Sequence, residues 1–81
     1  MTKVGILAGG GKLPFIIGNN LIKNSYEVNF FCIENFANEK LYKDYNIEKI
    51  SLNSLSEIIK KLKKNKIEKI VMAGHVKRPS L

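Results

Sequence analysis

One glycine-rich stretch near the amino terminus limits the fold more than any other part of the chain. It reads Val4-Gly5-Ile6-Leu7-Ala8-Gly9-Gly10-Gly11-Lys12-Leu13-Pro14 and predicts a buried strand, a sharp turn and the start of a helix. Glycine lets the backbone turn tightly and lets a ligand approach its amides. Pro14 suits a first helical turn, where its missing N–H costs nothing. The start of a helix after such a turn favours anions, although a tight turn without a ligand fits the same residues.

This stretch matches neither of the two best-known phosphate-binding motifs. Gly9 and Gly11 begin like a dinucleotide-binding fingerprint, but Pro14 stands where the third glycine belongs. No Gly-Lys-Ser/Thr follows at the spacing of a Walker A loop. Gly18, inside the predicted helix, either permits the close helix–sheet approach that a third glycine provides or is simply tolerated there. The stretch therefore predicts an anion-binding turn without naming its ligand.

Size and charge limit what the chain can do. Its 81 residues, 14 basic and 7 acidic, give a net charge of +7. This length suffices for one domain with a modest core, but a complete doubly wound nucleotide domain usually needs more. Every basic residue except Arg78 is lysine, so the charge indicates a general surface preference and is weak evidence for nucleic acid. It permits attraction to phosphates or to an anionic membrane surface.

Cysteine content and hydropathy indicate a cytoplasmic protein. Cys32 is the single cysteine, which excludes an internal disulfide and fits a reducing compartment. No apolar run approaches the roughly 18 residues of a membrane-spanning helix. The sequence enters a strand directly after Met1 to Lys3, so we expect no signal peptide.

Hydrophobic periodicity predicts the remaining elements. The first helix follows Pro14, and a second strand covers Glu27–Ile33, rich in β-branched and aromatic residues. The later predicted elements are one helical turn around residues 39–42, a third strand at 47–52, a second helix at 54–65 and a fourth strand within 67–73. At the start of the second helix, Ser54 and Glu57 have the spacing of a capping box, in which each side chain satisfies the other's free amide.

This alternation predicts an α/β fold. We expect a Rossmann-like open parallel sheet of about four strands in the order 3-2-1-4, with helices on both faces. In that order the topological switch lies between strands 1 and 4, and ligands bind outside the carboxyl ends of strands at such a point. Residues 9–13 and 74–79 follow those two strands. The sequence therefore predicts that both segments border one crevice.

The candidate binding residues follow three of the predicted strands. They are Gly9, Gly10, Gly11, Lys12 and Leu13 after strand 1, Glu34 after strand 2, and Gly74, His75, Val76, Lys77 and Arg78 after strand 4. Arginine grips phosphate oxygens with a planar fork, and an acid at the end of strand 2 often accepts hydrogen bonds from a ribose. An exposed surface role fits Arg78 as well, and it fits Glu34 better than contact with a ribose. His75, the only histidine, suits an acid, base, phosphate-binding or packing role.

Catalytic groups are scarce. Asp44 is the only aspartate and falls in the polar connection between strands 2 and 3. No cluster has metal-ligand spacing, and no nucleophile elbow is present. We therefore predict no catalytic and no metal-binding residue in this chain, which is equipped to hold a nucleotide-like ligand rather than to cleave it.

Two motifs together resemble the N-terminal domain of the LpxI-type UDP-2,3-diacylglucosamine pyrophosphatases. They are Leu7-Ala8-Gly9-Gly10-Gly11-Lys12-Leu13-Pro14 and Met72-Ala73-Gly74-His75-Val76-Lys77-Arg78-Pro79, and the resemblance covers almost the whole chain. It implies a Rossmann-like domain of an enzyme that hydrolyses UDP-2,3-diacylglucosamine to UMP and 2,3-diacylglucosamine 1-phosphate in lipid A synthesis. The resemblance also implies that water attacks the α-phosphorus with the help of a divalent metal, usually taken as Mg²⁺.

The resemblance also implies a division of labour. The family's catalytic aspartate belongs to a C-terminal domain, so we expect residues 1–81 to form a single N-terminal domain that is inactive alone. Expected partners are a UDP-diacylglucosamine-like substrate and, through the lysine-rich second helix, an anionic inner membrane. No nucleic acid is expected, and homo-oligomerisation stays open. The alternatives are a non-catalytic nucleotide or nucleotide-sugar binding module and a small basic RNA-associated domain, which only the net charge supports.

Overall fold

The computed structural model describes residues 1–76 and shows a parallel sheet with helices on both faces. Its elements are, in chain order, β1 (Lys3–Ala8), α1 (Leu13–Lys23), β2 (Glu27–Ile33), a 3₁₀ turn (Glu39–Tyr42), β3 (Ile47–Ile50), α2 (Leu55–Lys64) and β4 (Lys69–Ala73). The strands lie in the order β3-β2-β1-β4 and every pair is parallel. The predicted α/β fold and strand order are confirmed.

Each face of the sheet has its own core. The α1 face, covered by α1 and the 3₁₀ turn, buries Val4, Ile6, Ala8, Phe30, Cys32 and Tyr42. The α2 face, covered by α2, buries Leu7, Phe31, Ile33, Ile50 and Ile58. Alternate residues of β1 and β2 point to opposite faces, and both faces of these central strands are buried, as the near-continuous apolar runs in the sequence predict.

The strand register places three strand ends side by side. Ala8, at the end of β1, is paired with Cys32 of β2 and with Ala73 of β4. The segments that follow β1, β2 and β4 therefore emerge at one edge of the sheet, next to one another. This edge carries the candidate binding residues.

Gly18 brings α1 close to the sheet. It is buried, and a Cβ atom at this position would collide with Cζ of Phe30 and lie 2.5 Å from Cε1 of the same ring. The side chain of Ile6 would be 3.3 Å away. Only glycine permits this separation of helix and sheet, so the close approach proposed from the sequence is confirmed.

Four aromatic rings pack between α1, β2 and the 3₁₀ turn. Phe15 meets Tyr42 and Tyr45 edge-on, both at 5.8 Å between ring centroids, and Phe30 lies 4.7 Å from Tyr42 and 5.3 Å from Tyr45. The Tyr45 hydroxyl donates a 2.6 Å hydrogen bond to Oδ1 of Asn19. The hydroxyl of Tyr42 is buried and finds no partner among residues 1–76.

The predicted capping box of α2 is wrong. Ser54 is the N-cap residue, but its side chain makes no capping hydrogen bond. Its amide, which Glu57 would have to satisfy in a capping box, already donates to the carbonyl of Ser51 at 3.2 Å. The turn that begins at Ser51 also ends β3 at Ile50, two residues before the predicted end.

Within residues 1–76, no helix is long and apolar enough to cross a bilayer. The longer of the two, α1, has 11 residues.

Candidate functional site

The segments that follow β1 and β4 are bonded to each other. The Gly9 amide donates to the Ala73 carbonyl at 2.8 Å. Gly10 and His75 form an antiparallel bridge, in which the Gly10 amide donates to the His75 carbonyl at 2.9 Å and the His75 amide donates back at 3.2 Å. The predicted segment after β1 therefore contacts the part of the predicted segment after β4 that the structure describes, which ends at Val76. Lys77 and Arg78, the remaining candidates of this segment, lie outside the described residues.

Gly9 and Gly74 are required by this contact between the two segments. A Cβ atom on Gly9 would lie 2.6 Å from the carbonyl oxygen of His75. Gly74 has φ +89°, and a Cβ atom there would lie 2.7 Å from the carbonyl oxygen of Gly10. Because backbone atoms cannot move aside as side-chain ends can, no larger residue fits at either position. Sequence reasoning gave Gly9 a role in a tight turn or in ligand binding and Gly74 a role in ligand binding. It did not predict that each of these glycines makes room for the backbone of the other segment.

The imidazole of His75 lies over the glycine turn. A Cβ atom on Gly10 would collide with this ring, and one on Gly11 would lie 3.8 Å from Nδ1. His75 is nevertheless exposed. The bridge therefore holds an imidazole that solvent can reach at the rim of the turn.

The second half of the turn is open to solvent. Gly11, Lys12 and Leu13 are exposed, and Gly11 has φ +87°. The first helical hydrogen bond of α1 runs from the Ile16 amide to the Lys12 carbonyl at 3.0 Å. The amides of Gly11, Lys12 and Leu13 have no partner within the described residues, as is usual at a helix start without a capping side chain. Unpaired amides at the start of a helix, next in sequence to the charge of Lys12, suit an anion.

The other two predicted residues have distinct positions. Glu34 is exposed directly after β2, and its amide donates to the Ile50 carbonyl at 2.8 Å. It lies at the same edge as the glycine turn, on the side of β1 away from β4. The side chain of Val76 packs against the core of the α2 face, and a Cβ atom on Gly9 would lie 3.1 Å from its Cγ2.

The amino-acid sequence that forms this site matches a known protein family. The profile of the LpxI N-terminal domain matches residues 3–81, which include both segments of the candidate site. The chain belongs to the LpxI family. Its family is associated with lipid A precursor metabolism. No curated protein sequence matches the chain significantly.

Two cavities of the LpxI domain lie away from the glycine turn. One, of about 510 Å³, is an open depression lined by Ile17, Asn20, Leu21, Asn24 and Tyr26. The other, of about 240 Å³, is lined by Asn29, Phe30, Phe31, Asn46, Ile47, Glu48 and Asn65. Neither is lined by a predicted site residue. The glycine turn therefore stays the candidate site because of its open amides and charge rather than because of either cavity.

The LpxI domain offers little for metal binding or covalent chemistry. In residues 1–76, no three His, Cys, Asp or Glu side chains lie close enough together to hold a metal ion. These residues do not by themselves fit a divalent metal, and we assign no step to one. Burial, with a smaller contribution from Glu39, raises the pKa of the Cys32 thiol to about 11. Cys32 is therefore a neutral core residue rather than a nucleophile.

Proposed function

We propose that this LpxI domain binds the uridine diphosphate end of UDP-2,3-diacylglucosamine. It would do so within an enzyme that hydrolyses this substrate to UMP and 2,3-diacylglucosamine 1-phosphate in lipid A synthesis. One observation carries the proposal: the glycine turn and the segment after β4 are bonded together at the topological switch of the sheet. Ligands of open α/β sheets bind at such a point.

The open half of the turn supplies the chemistry for a diphosphate. The amides of Gly11, Lys12 and Leu13 donate to no protein partner among residues 1–76, and the α1 dipole adds partial positive charge at the same place. Lys12 adds a full positive charge. Hydrogen bonds from these groups to ionised phosphate oxygens are stronger than those to neutral acceptors.

The closed half of the turn keeps those donors in place. The Gly9 and Gly10 amides are already bonded to Ala73 and His75, so they are unavailable to a ligand. They fix the backbone from which Gly11 to Leu13 project. A site whose donors are held before the ligand arrives loses less conformational entropy on binding.

The proposal assigns binding and charge neutralisation to this chain. Held against the turn, the diphosphate would lose part of its negative charge, which favours attack by water at phosphorus. The attacking water, the catalytic aspartate and the divalent metal, expected to be Mg²⁺, belong in this proposal to the rest of the full-length enzyme. The cytoplasmic location, contact of the α2 lysines with an anionic membrane, and self-association stay predictions.

Calorimetric titration of the chain with UDP, UMP and uridine tests the binding site. We expect affinity to fall in that order and to weaken as salt is added, because the phosphates supply most of the attraction. Lys12→Ala should weaken UDP binding by about threefold, as expected for an exposed charge pair. Lys23→Ala, at the opposite end of the same helix, is the matched control. Equal affinity for UDP and uridine, or an equal loss with Lys23→Ala, would contradict the proposed site.

A separate assay tests whether catalysis needs the rest of the enzyme. The chain is incubated with UDP-2,3-diacylglucosamine and Mg²⁺, and UMP release is measured. We expect no release. Robust turnover would show that this chain contains the catalytic groups and would remove the assignment of catalysis to the rest of the enzyme.

A further inference from the structure

The absence of a side chain at Gly10 makes room for the imidazole of His75. Gly11 and Gly74 have positive φ angles, whereas the backbone of Gly10 lies outside the left-handed region. A Cβ atom on Gly10 would collide with Nε2 of His75 and lie 2.7 Å from Cε1 and 3.0 Å from Cδ2 of the same ring. These three ring atoms are the ones nearest to that position. We refer to the space that Gly10 leaves for the ring as the ring seat.

The ring seat holds the imidazole in place without burying it. The backbone bridge between Gly10 and His75, with hydrogen bonds of 2.9 Å and 3.2 Å, fixes the chain from which the ring projects. His75 is nevertheless exposed, and it belongs to neither hydrophobic core. A packing role therefore does not account for its position.

The ring nitrogens of His75 are available to a ligand. Within residues 1–76, no hydrogen bond or ion pair joins the imidazole to another group. A neutral imidazole has one N–H donor, and a protonated imidazole has two. The ring can therefore donate to an acceptor that comes from solution.

The imidazole borders the open half of the glycine turn. A Cβ atom on Gly11 would lie 3.8 Å from Nδ1 and 3.9 Å from Cε1 of His75. The amides of Gly11, Lys12 and Leu13 donate to no partner in the described part of the chain. A positive φ at Gly11 followed by a right-handed Lys12 also resembles a backbone nest, in which successive amides bind an anion. An anion held by these amides would lie beside the His75 ring.

Charged groups of the neighbouring elements do not neutralise the ring. Lys12 stands in the turn, Glu34 follows β2, and Glu57 lies in the first turn of α2. In residues 1–76, neither carboxylate forms an ion pair with His75. Cys32, at the end of β2, is buried and neutral. A positive charge on the imidazole would therefore add to that of Lys12 and be compensated by a bound anion.

We propose that His75 is a further ligand-contacting residue of the nucleotide site, and that its protonated imidazole, seated on Gly10, donates a hydrogen bond to an ionised phosphate oxygen. This inference rests on the proposed function of the turn. Histidine ordinarily changes its charge between about pH 5 and pH 8, and an anion beside it favours the charged form. Binding therefore takes a proton from the solvent onto the ring, and dissociation returns it. Affinity rises as the pH falls.

Calorimetry with a ligand of constant charge tests this proposal. The terminal phosphate of UDP changes its own charge near about pH 6, so the probe is UDP-N-acetylglucosamine, in which both phosphates are esterified. We expect binding to be about fivefold tighter at about pH 6 than at about pH 8, as for an exposed ion pair. Titrations in buffers with different heats of ionisation should show uptake of a fraction of a proton for each ligand bound.

Substitution of His75 isolates the imidazole. His75→Gln keeps the bridge, which uses backbone atoms only, and it should bind the probe equally at both pH values without proton uptake. His75 is the only histidine, and every other titratable group is the same in both proteins. Lys12→Ala is the matched control and should weaken binding by about threefold at both pH values while the pH dependence remains. The same pH dependence in His75→Gln as in the unmodified chain would overturn the proposal.

A second pair of variants tests the ring seat. Gly10→Ala displaces the imidazole, so it should remove the pH dependence as His75→Gln does. In a His75→Ser background, where no ring occupies the seat, Gly10→Ala should change the affinity by less than about twofold. Circular dichroism verifies that each variant folds. An equal loss of affinity in both backgrounds would show that Gly10 acts through its backbone, and it would overturn the role of the ring seat.

The outcomes separate this inference from the proposed function. Binding of UDP that follows the proposed order, with His75→Gln unchanged in affinity and proton uptake, would overturn the role of His75 alone. Absence of binding for both UDP and UDP-N-acetylglucosamine at either pH would overturn both. Uridine should bind without pH dependence. A pH dependence for uridine equal to that of the probe would place the imidazole against the nucleoside and overturn the phosphate contact.

Discussion

The two faces of the sheet differ in how completely they are covered. On the α1 face, four aromatic rings fill the space between helix, sheet and 3₁₀ turn, and Gly18 lets the helix approach closely. On the α2 face, the helix covers the core residues of the face and leaves Ile70 and Met72 exposed. The α1 face is therefore the more completely packed of the two, and it also carries the helix at whose start we propose an anion site.

The largest difference between the faces should come from Phe30. Phe30→Ala empties the centre of the aromatic cluster and should lower the free energy of unfolding by about 3–5 kcal/mol. Ile70→Ala, on the α2 face, should cost less than about 1 kcal/mol because that side chain is mostly exposed. Urea denaturation of both variants measures the contrast. Similar losses would show that the faces do not differ in the way described.

A smaller effect is expected at the helix–sheet contact of the α1 face. Gly18→Val would place a branched side chain against the buried ring of Phe30 and should cost about 1–3 kcal/mol through overpacking. UDP affinity should fall as well, since the proposed anion site lies at the start of α1. Ser56→Val, on an exposed position of α2, is the matched control and should change stability by no more than about 0.5 kcal/mol.

Two tyrosines of the α1 face should respond in opposite ways to loss of the hydroxyl. Tyr45→Phe removes a hydrogen bond to Asn19 and should cost about 1 kcal/mol. Tyr42→Phe removes a buried hydroxyl without a partner among residues 1–76, so stability should stay the same or rise by up to about 1 kcal/mol. Thermal unfolding of the pair gives the comparison. A clear loss with Tyr42→Phe would reveal a partner for that hydroxyl.

The last effect, absent at neutral pH, concerns Cys32. Its folded pKa of about 11 exceeds the ordinary value of 9.0, so the unfolded chain loses the thiol proton first as the pH rises. Stability should therefore fall between about pH 9 and pH 11 and be unaffected by this group below that window. Cys32→Val should show a smaller decline. Unfolding measured at several pH values gives the difference, and identical curves would contradict the shielding of the thiol.

Local patterns in the sequence were enough to predict the order of the sheet and several element bounds. The bounds of β2 match the prediction, because its apolar run stands between polar segments. The capping box failed because the amide of Ser54 is bonded to Ser51, and residue spacing does not show such a bond. The glycine roles also escaped prediction, since Gly9 and Gly74 are constrained by atoms of a distant segment. Contacts of Lys77 and Arg78 stay predictions.

The bonds of the Gly10–His75 bridge join backbone atoms only. Any amino acid other than proline at position 75 can form them, whereas Gly9 and Gly74 admit no larger residue. Relatives could therefore exchange the imidazole for another functional group while the loop kept its shape. Position 75 is therefore a place where the chemistry of the proposed site can change while the backbone of the turn stays the same.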